Sequence, residues 1–179
     1  MGHSQPRRIE ERIAREVGVA LALLGVVLIQ TALLPRPLGT PPNLLLMLVI
    51  CRSMIVGPSP AARWAFYGGL SLDLCANSTI GSHGLALLLA DLVAGLPLAR
   101  LSRENWLLPL TGTLFGACAY YIILGVTARV TLDLEVLRTY ALVIALPDIL
   151  VVLIPALPLF LFMRWIERRQ RGEVPIDVY

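Results

Sequence analysis

The sequence predicts an all-α membrane protein: a bundle of six transmembrane helices with the N- and C-termini cytoplasmic. Three observations carry that prediction. Of 179 residues, 57% are hydrophobic and only 15% are charged, whereas a soluble domain carries about a quarter charged residues. The apolar residues fall into six runs separated by proline, glycine or arginine clusters, most of them near the length a bilayer core demands. All fifteen basic residues are arginines. Twelve lie in the two tails or in alternate loops and three (Arg36, Arg129, Arg138) on the opposite side, as the positive-inside rule requires of an even number of spans.

The elements follow in order. Residues 1–16 form a cytoplasmic segment in which Ile9 and Ile13, continued by Val17, recur every four residues among arginines and glutamates, predicting an amphipathic helix continuous with the first span. The acids offset these arginines and no aromatics are interleaved, so the pattern does not fit nucleic-acid binding. The six-helix domain covers 17–163. Its first span is 17–34, followed by a stiff connector with Pro35, Pro37, Pro41 and Pro42. The apolar run 43–56 is short for a bilayer and reads either as a full span or as a partly sunk helix. Gly57-Pro58-Ser59-Pro60 breaks the chain before the third span, 61–78. A polar turn, 77–83, leads to the fourth span, 84–99, and a basic loop to the fifth, 107–127. Residues 127–139 alternate apolar and polar and read as strand-like or a half-buried hairpin. The sixth span, 140–163, carries Pro147, Pro155 and Pro158, and 164–179 is a basic cytoplasmic tail.

Three carboxylates fall within spans: Asp73, Asp91 and Asp148. Acids at such depth face protein or water. They are expected at similar depth, either as a cation or solute site between helices three, four and six, or as hydrogen-bonded packing residues. On the third span Ala65, Gly69, Asp73 and Ala76 share one stripe, where small residues let a neighbouring backbone approach. Gly112 and Gly116 in the fifth span invite the same closeness, within the bundle or against a partner's helix.

Ser71, Ser78, Ser82, His83 and Asp91 supply the residue types of a hydrolase, but no spacing brings them together. His3 and His83 are too few for a zinc site. Cys51, Cys75 and Cys118 stand isolated in apolar runs as small hydrophobes. No enzyme, cofactor or metal is expected.

The Pro42-Asn43-Leu-Leu-Leu-Met opening, the Gly57-Pro58 break, Gly68-Gly69-Leu-Ser-Leu-Asp73-Leu and the turn at Gly81 resemble the bacterial rod shape-determining MreD family. With length and span count, the resemblance runs from Val17 to about Arg169. It implies a fold similar to the substrate-binding components of energy-coupling-factor vitamin transporters. It also implies a non-enzymatic scaffold of the inner membrane that binds the membrane helix of MreC. MreB, RodA and a penicillin-binding transpeptidase would be neighbours in that complex, and membrane lipids would surround it. In this reading Gly69 and Asp73 hold the helix-three seam, with Gly81, Gly112 and Gly116 as further packing or partner positions. The shared fold supplies the rival: a solute-binding transport component with a pocket among Asp73, Asp91 and Asp148.

Overall fold

A computed structural model of the chain describes residues 9–32, 42–76, 78–95, 107–127 and 134–171. The described residues form six helical rods and no strand. Helix α1 is Ile9–Ala32, α2 Leu44–Val56, α3 Pro58–Cys75, α4 Ser82–Ala94 and α5 Leu107–Thr127. The last rod is α6 (Leu134–Thr139), a π-helical stretch (Tyr140–Ala145) and α7 (Leu146–Arg171) run end to end. Three of the rods, the first, the fifth and the last, are long and apolar enough to cross a membrane.

The hub is α2, which packs against α1, α3, α4, α5 and α7. Its apolar residues are distributed all round the helix, the pattern of a helix enclosed on every side, and Leu45, Leu46, Met47, Val49, Ile50, Cys51 and Met54 are buried. Of the two readings left open for 43–56, this is a short helix enclosed by protein. At about 1.5 Å per residue it falls short of a bilayer core, and the surrounding helices shield it from needing to match one. Its orphan N-terminal N–H groups are satisfied inside the bundle: Asn43 Oδ1 accepts from Leu46 N at 3.0 Å and Gln30 Oε1, from α1, accepts from Leu45 N at 3.2 Å.

Several expected boundaries move. The prolines of Gly57–Pro60 do not delay α3, which begins at Pro58, because proline lacks only an N–H that the first turn leaves unpaired. Gly57 alone makes the corner between α2 and α3, at φ 103° and ψ 166°, a conformation that costs other residues about 1–3 kcal/mol. Helix α3 ends at Cys75, three residues before the expected 78, and α4 is Ser82–Ala94 where 84–99 was expected, 96–99 lying outside the described residues. The strand-like reading of 127–139 fails for 134–139, which are helical, and 128–133 lie outside the described residues. A short alternation cannot outweigh continuity with the helix that follows.

The sixth span is not broken by its prolines either. In the π-helical stretch before Pro147 the acceptor moves one residue further back, so that Leu146 N bonds to Ala141 O. Loosening the ladder there accommodates a proline that cannot donate to it. Pro155 and Pro158 lie inside α7, as membrane helices tolerate. The helix continues to Arg171, so 164–171 belong to the rod and not to a separate tail; 172–179 lie outside the described residues.

Two ion pairs show how the rods are arranged. Arg63, early in α3, pairs with Glu16 of α1, and Arg52, near the end of α2, pairs with Glu167 of α7 at 2.9 Å. The N-terminal part of α1 and the C-terminal part of α7 therefore sit at one end of the bundle. Trp64 stacks under Arg52 and Trp165 under Arg169 at that end.

Candidate functional site

Asp73 is the most heavily used polar side chain. It sits in the last turn of α3 and is buried. Its Oδ1 accepts from Ser78 Oγ (3.0 Å), Ser82 Oγ (3.1 Å) and His83 N (3.0 Å), and its Oδ2 accepts from Gly81 N (2.7 Å). These donors belong to the turn and to the first residues of α4. Asp73 thus caps α4 from the neighbouring helix, placing its charge where orphan N–H groups and the positive end of the helix dipole lie. Gly81 closes the turn at φ 94°, a left-handed conformation that glycine adopts without strain.

The same helix pair explains Gly69. A Cβ there would lie 2.3 Å from Gly84 Cα and 2.6 Å from Gly84 N, so α3 and α4 meet backbone to backbone. The neighbour anticipated on this stripe is α4 of the same chain. Gly112 and Gly116 are filled in the same manner: a Cβ on Gly112 would meet Met54 Sδ at 2.5 Å, and one on Gly116 would meet Ile50 Cδ1 at 2.7 Å. The carbonyls of Ala94 and Ala90 lie close behind, at 3.3 and 3.2 Å. These small residues seat α2 and α4 against α5. Of the two readings for Gly112 and Gly116, within the bundle or against a partner's helix, these contacts are the ones expected within the bundle.

The three carboxylates do not share a site. Asp73 grips Gly81 and His83, whereas Asp91 lies eight residues beyond His83 on α4, roughly 12 Å along the axis. The expectation of similar depth is wrong for Asp91, because α4 runs back through the bundle after the turn. Asp148, in the first turn of α7, accepts from Tyr121 Oη at 2.9 Å and belongs to the same end as Asp73. That end carries a belt of aromatic and polar groups. Tyr120 Oη lies 2.7 Å from His83 Nδ1, Tyr120 and Tyr121 meet edge to face at 5.1 Å, and Tyr140 Oη donates to Tyr121 O at 3.0 Å. Each buried hydroxyl in the belt finds a partner on another helix or on the backbone, so the belt locks α4, α5 and the last rod together.

The serines and histidine weighed for hydrolysis are engaged elsewhere. Ser71 donates to Tyr67 O in its own helix, Ser78 and Ser82 donate to Asp73, and the His83 ring is turned to Tyr120. Asp91 alone of the three acids keeps spare acceptors. It is 0% exposed, and neither carboxylate oxygen has a hydrogen-bond partner among the described residues. Ser53 Oγ of α2 donates to its main-chain oxygen at 3.0 Å.

Sequence reasoning passed over Gln30, Ser53, Thr113, Tyr120 and Tyr121, and met Asn43 only within the resembling motif. Their signal was present: a hydroxyl, phenol or amide inside an apolar run has to find a partner in lipid. A cavity of about 550 Å³ opens at the arginine-rich end, lined by residues including Arg15, Glu16, Arg52, Arg63 and Trp64, and none of the three aspartates lines it. Comparison with protein-family models, with curated proteins and with solved structures finds no match.

Proposed function

We propose that this chain is an MreD-like scaffold of the bacterial cytoplasmic membrane, crossing it six times with both ends inside. It receives the membrane helix of an MreC-type partner and helps couple an actin-like MreB filament to RodA and its transpeptidase. The observation that carries this reading is where the apolar surface lies. The interior faces are sealed by glycines and polar caps, while Phe66, Leu70 and Leu74 on α3, Leu21 and Leu28 on α1, and Leu150, Ile154 and Leu161 on α7 point outward. A protein built this way offers partners mainly side chains that lie in lipid, so recognition runs helix to helix.

The residues behind the resemblance support the same reading. Asn43 caps α2, Gly57-Pro58 forms the corner into α3, Gly69 admits α4, and Asp73 with Gly81 sets the α3–α4 turn. Such positions specify a fold, which is what a family pattern without catalytic chemistry consists of. The arginines gathered at the end defined by Arg52 and Arg63 favour that end as cytoplasmic.

The test is co-expression with a tagged MreC-type protein from the same cell, followed by detergent extraction and affinity capture. The chain is expected to co-purify, and to lose capture when outward residues such as Leu70 and Leu74 become alanine. A chain that elutes alone, at full expression of both partners, sinks the proposal.

A further inference from the structure

Three fully buried polar residues lie at one level of the bundle on the mutually packed helices α2, α4 and α5. The contacts fix the register. Gly116 faces Ile50 and Ala90 at one level, and Gly112 faces Met54 and Ala94 at the next. Ser53, Asp91 and Thr113 fall between these two levels on the same three helices, with exposures of 0%, 0% and 1%. Both Asp91 carboxylate oxygens and Thr113 Oγ1 have no hydrogen-bond partner among the described residues. Ser53 gives its only hydroxyl proton to Asp91 O, which leaves its lone pairs free. The formal cation on α2, Arg52, pairs through Nη1 with Glu167, and its Nε is buried without a partner among the described residues.

A buried charge with this many empty acceptors is among the costliest arrangements a bundle interior can hold. We infer that Asp91, Ser53 and Thr113 form a binding site for one small monovalent cation such as sodium. The donor set decides the class. It is all oxygen, which suits a hard ion, and it holds one carboxylate, where a divalent ion draws on several. No group of three acidic, histidine or cysteine side chains suited to a metal occurs among the described residues. A bound water would bridge two of the oxygens yet leave the negative charge uncompensated. A proton would neutralise the charge but link only one pair of oxygens. A cation neutralises it and would contact all of them, tying α2, α4 and α5 together.

The inference is independent of the scaffold reading and is tested on the purified full chain in detergent. Choline chloride is replaced stepwise by sodium chloride at constant ionic strength while the melting midpoint is followed. At a sodium concentration about tenfold above half-saturation the midpoint is expected to rise by roughly 3–5 °C. Asp91→Asn abolishes the rise, Thr113→Val shifts half-saturation about tenfold higher, and Asp73→Asn, at the other end of α4, leaves the sodium response intact. If Asp91→Asn does not fold, the near-isosteric Thr113→Val variant carries the test. Equal responses to sodium and choline, a sodium response that survives both α4 and α5 substitutions, or stabilisation by acidification alone each overturn the site.

Discussion

Replacing Gly69 by alanine isolates the contact on which the α3–α4 pair depends. In an ordinary helix the change is favourable by about 0.5–1 kcal/mol, since glycine loses more backbone entropy. Here the added carbon would lie 2.3 Å from Gly84 Cα and 3.0 Å from the His83 carbonyl carbon. Both obstacles are backbone and cannot swing aside, so the helices must part by about 1 Å to reach ordinary contact distance. That shift also draws Asp73 off Gly81 N and His83 N, now at 2.7 and 3.0 Å. Overpacking costs about 1–3 kcal/mol, and weakening charge-assisted bonds adds about 1–2 more. The net loss is about 1–4 kcal/mol after the propensity gain is subtracted. Gly84→Ala is the matched control, because a Cβ there meets nothing within 4 Å. Thermal unfolding in detergent, followed by fluorescence-detected size exclusion, should show Gly69→Ala melting well below wild type and Gly84→Ala at or above it. A Gly69→Ala protein that melts within a degree of wild type would refute the close-contact argument.

Three further predictions use the same assay. Asp73→Asn keeps one oxygen but turns an amide donor toward Gly81 N–H or toward the other donors; it should cost about 1–3 kcal/mol, and Asp73→Ala, which strips every acceptor from the turn, should cost more. Tyr121→Phe removes one donor from buried Asp148 and should lower stability by about 1–3 kcal/mol, whereas Ser71→Ala, whose hydroxyl only returns to its own helix, should be near neutral. Of the two ion pairs, Arg52–Glu167 is the more enclosed and Arg63–Glu16 the more exposed. A double-mutant cycle should therefore find a coupling for the first that resists added salt, and for the second under about 1 kcal/mol, lost as salt rises. Equal and salt-insensitive couplings would contradict that ranking.

Much of the site was legible in the chain, though its assembly was not. The stripe of Ala65, Gly69 and Asp73 announced a close neighbour and a polar group at the seam, because helical periodicity places residues three and four apart on one face. It did not say which helix would come, and the next helix in the chain fills the place. The pairing of Asp73 with the turn was within reach, since a carboxylate near small polar residues and a helix start is a capping arrangement. Grouping Asp91 with Asp73 failed because span boundaries read from hydropathy blur the start and end of α4, and depth follows from those boundaries. Tyr120 and Tyr121 were passed over because tyrosine is counted with the hydrophobic residues, although its hydroxyl needs a partner.

What the chain determined on its own was local and one-dimensional. Low charge, long apolar runs and lopsided arginines dictate helices whose backbone groups bond internally, because hydrocarbon offers them no other partner. Glycine and proline positions dictate corners such as Gly57 and Gly81. Only the tertiary structure decided that a short helix would be the hub, that a π-helical stretch would precede Pro147 in the last rod, and that Gly69, Gly112 and Gly116 would face neighbouring helices. It also left both carboxylate oxygens of Asp91 and the hydroxyl of Thr113 buried without a hydrogen-bond partner among the described residues. Those outcomes depend on which faces meet across the bundle, and close packing couples residues far apart in sequence that no local pattern connects.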